Sequence, residues 1–159
     1  MNDGALNSLS PKLRPSAPVW RKLAALVYDL LILAAVSMAY GALALAIKVN
    51  VLGHTLAEGE QASIGLPGFI GWIAVIVGFY CFFWRMAGQT LGMRAWRLKL
   101  VGQQSERPAL SACAIRALLA PLSLIPLAAG YWWQNFDAQN LTWHDRLSGT
   151  QVILLPKPR

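Results

Sequence analysis

Charged side chains are scarce in this sequence. Only 13% of its 159 residues are charged, 56% are hydrophobic, and the mean hydropathy is +0.45. Soluble domains carry about 25% charged residues, so the composition argues against a cytosolic enzyme, a nucleic-acid-binding module or a disordered tail. The net charge of +7 does not indicate nucleic acid either, because long apolar runs separate the basic residues. The sequence therefore predicts a membrane protein.

Cysteine and histidine are also rare, with two of each. Cys81 and Cys113 lie far apart and form no CxxC motif, so we expect packing residues rather than a disulfide or metal ligands. His54 and His144 are too few to supply a metal site, and no residue stands in a context that marks a nucleophile. We therefore predict no enzyme activity, no metal and no cofactor.

Long apolar runs, by contrast, are present. Residues 23–47 and 67–84 are each long enough to cross a bilayer, which takes about 20 residues of helix. A third apolar stretch, 111–133, contains Pro121 and Pro126, which kink or break helices. The sequence predicts an all-α polytopic membrane protein with two transmembrane helices and a third, proline-broken membrane segment that either spans or re-enters.

Two short segments have β character. Residues 95–101 alternate apolar and basic side chains, which is typical of a half-buried strand, and residues 150–155 are also β-prone. If they pair, both lie on the cytoplasmic side and the third segment must return as a re-entrant hairpin near Pro126. We favour this arrangement over a third full span, which would place residues 134–159 outside.

The distribution of charge predicts the orientation. Lys and Arg accumulate before the first span and in residues 85–110, whereas the loop 48–66 is acidic. By the positive-inside rule, the N-terminus is cytoplasmic. We divide the chain into a disordered cytoplasmic tail (1–19), a membrane domain (20–155) and a short C-terminal tail (156–159).

Asp29 lies about two turns inside the first apolar run, where an ionised carboxylate is costly. Lys22 is on the same helix face but about 10 Å lower along the axis, so it does not pair with Asp29 directly. We expect a partner from another segment, namely Arg116, Arg146 or Arg94. Asp29 is then either part of a structural ion pair or a carboxylate that binds a proton or cation.

The segment after the second run contains two glycines and a basic cluster. We interpret Gly88 and Gly92 as a structural turn that lets the chain re-enter along the membrane surface. A GxxxG pattern can also mark close helix packing, but both glycines lie outside the apolar run, so we favour the turn. Arg94, Arg97 and Lys99 form a juxtamembrane cluster that suits anionic lipid headgroups.

The densest polar group is Trp143-His-Asp-Arg146. Neighbouring residues rarely orient each other for catalysis, so we expect Asp145 to cap a helix or turn or to pair with an arginine.

Three blocks in order resemble the RDD family of small bacterial membrane proteins: WRKLAALVYDLLIL from Trp20, GQTLGMRAWRLKLV from Gly88 and WHDRLSGTQVI from Trp143. The resemblance covers about residues 19–155. It implies that Asp29 and Asp145 are the two aspartates of the family name.

The family arginine falls on Lys22, with Arg21 beside it, which keeps the charge but removes the bidentate guanidinium. The resemblance implies a bacterial inner-membrane location and suggests transport, such as sodium/proton antiport, with Asp29 and Asp145 as ion- or proton-binding candidates. So small a chain would need oligomers or a membrane partner to enclose a pathway. The alternative function is a non-transporting scaffold or assembly factor that uses the same residues as an ion-pair network.

Overall fold

The computed structural model describes residues 16–50, 63–103, 107–125 and 128–156. Two long helices dominate it: α1 is Val19–Asn50, with 32 residues, and α2 is Gly65–Met86, with 22 residues. At 1.5 Å per residue they measure about 48 and 33 Å, against about 30 Å for the hydrocarbon core of a bilayer. Almost none of their apolar side chains are buried within the chain. Both predicted apolar helices are confirmed, each with additional flanking turns.

The two long helices touch each other mainly in one region. The Trp72 indole N–H donates to the Ser37 hydroxyl at 2.9 Å, and the Tyr40 hydroxyl donates to the Gly68 carbonyl at 2.7 Å. A Cβ on Gly71 would lie 2.4 Å from the Tyr40 oxygen, so the Tyr40 hydroxyl occupies the space that a side chain at residue 71 would need.

A sharp turn follows α2. Gly88 has a φ of +69°, which glycine adopts without steric cost. The short helix α3, Leu91–Ala95, then begins at Thr90, whose hydroxyl accepts the Met93 N–H. After α3, Arg97 adopts a φ of +56° and the chain enters strand β1, Leu98–Gly102. The strand thus starts three residues later than predicted, because residues 91–95 are helical.

The predicted β-pair is confirmed. Strand β1 pairs antiparallel with β2, Thr150–Leu154, in a register that sets Leu98 opposite Leu154. The chain just before α1 joins the other side of β2, where the Ala17 N–H donates to the Val152 carbonyl at 2.8 Å. Residues before α1, after α2 and near the C-terminus therefore meet at one end of the helix pair.

The third apolar segment forms several short elements. Helix α4, Leu110–Leu122, has 13 residues, or about 20 Å, too short to cross a bilayer. It is followed by α5, Ala129–Trp132, a 3-10 turn, Trp133–Asn135, and α6, Trp143–Ser148.

One backbone hydrogen bond brings this segment back on itself. The Gly130 N–H donates to the Ser123 carbonyl at 3.3 Å, so α5 returns against the end of α4.

The predicted break at Pro126 lies outside the described residues. So do the acidic part of the loop at 51–62, residues 1–15 of the N-terminal tail and residues 157–159.

The core lies where the sheet, α3 and α4 meet the adjoining ends of α1 and α2. Its buried members are Ala17, Ala25, Cys81, Trp84, Met93, Leu98, Leu100, Cys113, Ala117 and Val152. The two cysteines are free thiols within it. This small core holds together the polar site described next.

Candidate functional site

Asp145 stabilises the N-terminus of α6. Thr142 is the N-cap: its hydroxyl accepts the Asp145 N–H at 3.3 Å, and the Asp145 carboxylate accepts the Thr142 N–H at 3.0 Å. This reciprocal capping box satisfies two N–H groups that the helix cannot pair internally. The prediction that Asp145 caps a helix is confirmed.

Two cations from distant elements share the same carboxylate. Lys22 of α1 donates to Asp145 Oδ2 at 3.0 Å, and Arg116 of α4 donates to Asp145 Oδ1 at 2.5 Å. The Arg116 guanidinium also donates to the Thr150 hydroxyl at 2.9 Å, at the start of β2. The three charged groups, here called the Asp145 triad, therefore connect α1, α4, α6 and β2.

The Lys22 ammonium is saturated. It donates to Asp145, to Gln134 Oε1 at 2.7 Å and to the Ser16 hydroxyl at 3.2 Å, which accounts for its three N–H groups. Gln134 in turn donates to the Ala17 carbonyl at 2.9 Å. Gln134 carries no charge and lies in no motif, so the sequence contains no signal for its role.

The charges of the triad set the titration of Asp145. Its complete burial favours the neutral acid, but Lys22 and Arg116 outweigh burial and hold the Asp145 pKa well below its usual range. Asp145 is thus ionised and satisfied at both oxygens. The triad carries two positive charges against one negative charge.

His144, next to Asp145, is buried in a second network. Its Nε2 lies 3.0 Å from the Thr142 hydroxyl and its Nδ1 lies 3.1 Å from the Ser123 hydroxyl. Because the Ser123 hydroxyl donates to the Leu119 carbonyl, the consistent tautomer carries its proton on Nδ1. Burial, reinforced by Arg116, lowers the His144 pKa to about 3. His144 is therefore a neutral link between α6 and α4.

Asp29 has a different environment. Its Oδ2 accepts the Thr90 hydroxyl at 2.6 Å and its Oδ1 accepts the Gly92 N–H at 2.9 Å, both at the N-terminus of α3. Its residue surface is only 3% exposed. Within the described ranges, no lysine or arginine forms an ion pair with it.

The expected arginine partner of Asp29 is therefore wrong. Arg116 contacts Asp145 instead, Arg146 contacts Asp137 at 3.3 Å, and Arg94 is exposed. The expectation failed because an N–H and a hydroxyl at a helix N-terminus can satisfy a carboxylate without a cation.

The two glycines have different roles. Gly88 forms the predicted turn, but Gly92 is helical and packs directly against α1. A Cβ on Gly92 would lie 2.2 Å from the Ala25 carbonyl and 2.8 Å from Asp29 Oδ1. The interpretation of Gly92 as a turn residue is wrong, because its missing side chain serves close helix packing.

A cavity of about 460 Å³ opens between α1, α2 and α4. Apolar and aromatic side chains form most of its wall, and Lys22, Asp29 and Arg116 are its charged groups. The cavity therefore joins the two predicted carboxylate sites: Asp29 directly, and Asp145 through its two cationic partners. Among the described residues, no three metal-binding side chains come together.

The remaining predicted site residues lie at the surface of the same end. Arg94 is exposed, while Arg97 and Lys99 are half-buried beside the sheet. Arg21 lies over the Trp20 ring, with its guanidinium carbon 4.8 Å from the ring centroid. The lipid-headgroup role of the basic cluster stays a prediction.

Comparison with known proteins agrees with the sequence motifs. The model of the RDD family matches residues 16–149, most of the chain and both carboxylates. No curated protein and no solved structure matches. The family match and the two apolar helices fit an integral membrane protein. The chain belongs to the RDD family.

Proposed function

We propose that the protein is a multi-pass protein of the bacterial inner membrane with a cytoplasmic N-terminus. The end of the molecule that contains the sheet also carries Arg94, Arg97 and Lys99, and basic residues collect on the cytoplasmic side. The short α4 and the return of α5 against it support a segment that dips into the bilayer without crossing it. The basic cluster would contact anionic headgroups.

Labelling of single cysteines tests this topology. In a Cys81→Ser, Cys113→Ser background, spheroplasts are treated with a membrane-impermeant maleimide. We expect Asn50→Cys, at the far end of α1, to be labelled and Pro156→Cys, beside the sheet, to be protected until the membrane is opened. Labelling of Pro156→Cys in sealed spheroplasts would contradict the proposed topology.

We further propose that the protein transports ions in an antiport-like manner, with Asp29 exchanging a proton for a cation. The observation that carries this proposal is the position of Asp29, which borders a cavity and, among the residues that the structure describes, is bonded to neutral donors alone. Intramembrane carboxylates in such settings mark ion and proton pathways. The other ionisable groups along the cavity are Lys22, Arg116, Tyr80 and Tyr131.

One chain does not enclose the cavity, so the proposed pathway requires a second copy or a membrane partner. Proteoliposomes test the function. We expect an imposed sodium gradient to drive proton movement with the wild-type protein and with Asp137→Asn, which removes a carboxylate outside the cavity. The same gradient should drive no proton movement with Asp29→Asn. Equal flux in Asp29→Asn and wild type would refute the role of Asp29.

A scaffold is the second candidate function, and one observation favours it. Asp29 of α1 accepts the Gly92 N–H of α3, and Asp145 of α6 pairs with Lys22 and Arg116, so both carboxylates also fasten short elements to α1 or its neighbours. A scaffold predicts that Asp29→Asn reduces folded yield while the wild-type protein conducts no gradient-driven protons at any pH. The proteoliposome experiment separates the two functions.

A further inference from the structure

The cavity is large enough for an organic molecule. Its volume of about 460 Å³ falls within the range of about 300–1,000 Å³ that is typical of small-molecule sites. Its wall is almost entirely apolar, which disfavours filling by water alone. A bare monovalent ion would leave most of this volume without contacts.

The charged groups of the cavity differ in what they can offer a ligand. All three N–H groups of Lys22 are engaged within the protein. Arg116 uses one Nη for both Asp145 and Thr150. An ionised carboxylate has about four lone-pair positions, and Asp29 uses two of them. Asp29 is therefore the charged group of the cavity that still has lone pairs free to contact a positively charged ligand.

Aromatic rings surround the same space. Trp72, Tyr80, Trp84 and Tyr131 all line the cavity. The Tyr80 and Trp84 rings lie 4.9 Å apart between centroids. Ring faces attract cations, most strongly where water is excluded, so rings and carboxylate favour the same sign of ligand charge.

We infer that this cavity binds a lipophilic organic cation, with the positive centre of the ligand at Asp29 and its apolar groups against the walls of α1 and α2. The inference rests on the proposed cation-binding role of Asp29 and names the class of ligand. An amphiphilic anion fits less well, because the Lys22 ammonium has no donor left for it and the Arg116 guanidinium is already paired with Asp145.

The test uses two probes of nearly equal shape and opposite charge. Binding of radiolabelled tetraphenylphosphonium and of tetraphenylborate is measured separately, on purified protein in a neutral detergent. We expect saturable binding of tetraphenylphosphonium and none of tetraphenylborate. Asp29→Asn should weaken tetraphenylphosphonium binding about tenfold or more, as expected for loss of a desolvated charge contact, and Asp137→Asn should leave it unchanged.

A second pair of variants tests whether the ligand occupies the cavity, without changing the charge of Asp29. Ala34 lines the cavity and its neighbour Ala35 does not, although both are exposed. We expect Ala34→Trp to abolish tetraphenylphosphonium binding and Ala35→Trp to preserve it. Because both changes add the same bulk to α1, the comparison holds even if Asp29→Asn folds poorly.

Three results would overturn the inference: no saturable tetraphenylphosphonium binding, equal binding by Ala34→Trp and Ala35→Trp, or comparable binding of tetraphenylborate. Asp29-dependent binding without proton flux in proteoliposomes would support the inference and refute transport. Sodium-driven proton flux without tetraphenylphosphonium binding would support transport and refute the inference.

Discussion

Asp29 and Asp145 are both buried carboxylates, yet their surroundings differ in charge. Asp145 is held by two cations and a backbone N–H, so its negative charge is more than balanced. Asp29 accepts bonds from a hydroxyl and a backbone N–H and borders a cavity. One acid is therefore committed to structure, and the other is the one that we propose binds a cation.

The largest expected effect follows from breaking the Asp145 triad. Asp145→Asn leaves Lys22 and Arg116 buried without their counter-ion, and removal of one partner of a buried ion pair costs about 3–5 kcal/mol. We expect a large loss of thermal stability in detergent and a low folded yield. Asp137→Asn, which affects a single pair with the exposed Arg146, is the control and should lose much less stability.

A smaller loss of stability is expected from Gly92→Ala, which changes the helix α3 that donates to Asp29. The added Cβ would meet the Ala25 carbonyl at 2.2 Å, so α3 must move away from α1, and overpacking of this kind costs about 1–3 kcal/mol. Gly78→Ala, where a Cβ meets nothing within 4 Å, is the matched control. Equal thermal stability of the two variants would contradict the close approach of α3 to α1.

The next largest effect is a pH dependence of stability, which we expect from His144, the neighbour of Asp145. Burial lowers the His144 pKa to about 3, whereas the unfolded imidazole has a pKa of about 6.5. Between these values the unfolded chain binds more protons, so stability rises with pH through this window. From pH 6.5 down to 5 the expected loss is about 1.6 kcal/mol.

Thermal unfolding of wild type and His144→Gln across this pH range checks the expectation. The substitution should reduce the slope of stability against pH, whatever it does to the absolute stability. An unchanged slope would show that His144 does not carry this pH dependence.

The smallest stability effect is expected from Asp29→Asn. The amide oxygen of Asn can still accept the Gly92 N–H, and no buried cation loses its partner. We expect a change within about 1 kcal/mol, as is usual for a neutral hydrogen bond, in the same unfolding assay. A loss as large as that of Asp145→Asn would remove the distinction between the two carboxylates and favour the scaffold.

The sequence was sufficient to predict the parts of the fold that depend on local pattern. Long apolar runs predicted α1 and α2, and the alternation around Leu98 and Lys99 predicted the strand that pairs with residues 150–154. Asp145 as a capping residue was also predictable, since Thr142 stands three residues before it.

Partners across the fold were not predictable in the same way. Several cations were available to Asp29 by charge alone, but only tertiary packing decides that Arg116 approaches Asp145 and that α3 presents its N-terminus to Asp29. Gly92 was misassigned because a turn glycine and a packing glycine look alike in sequence. Gln134 had no signal, since a neutral side chain becomes important only through the lysine it meets.

Proton release on addition of a cation tests the central claim most directly. Sodium chloride is added to purified protein in weakly buffered detergent solution, and the protons released per chain are measured. The account predicts release from wild type and from Asp137→Asn and none from Asp29→Asn, because proton and cation compete for the Asp29 carboxylate. Equal release from Asp29→Asn and wild type, or no release from wild type, would contradict it.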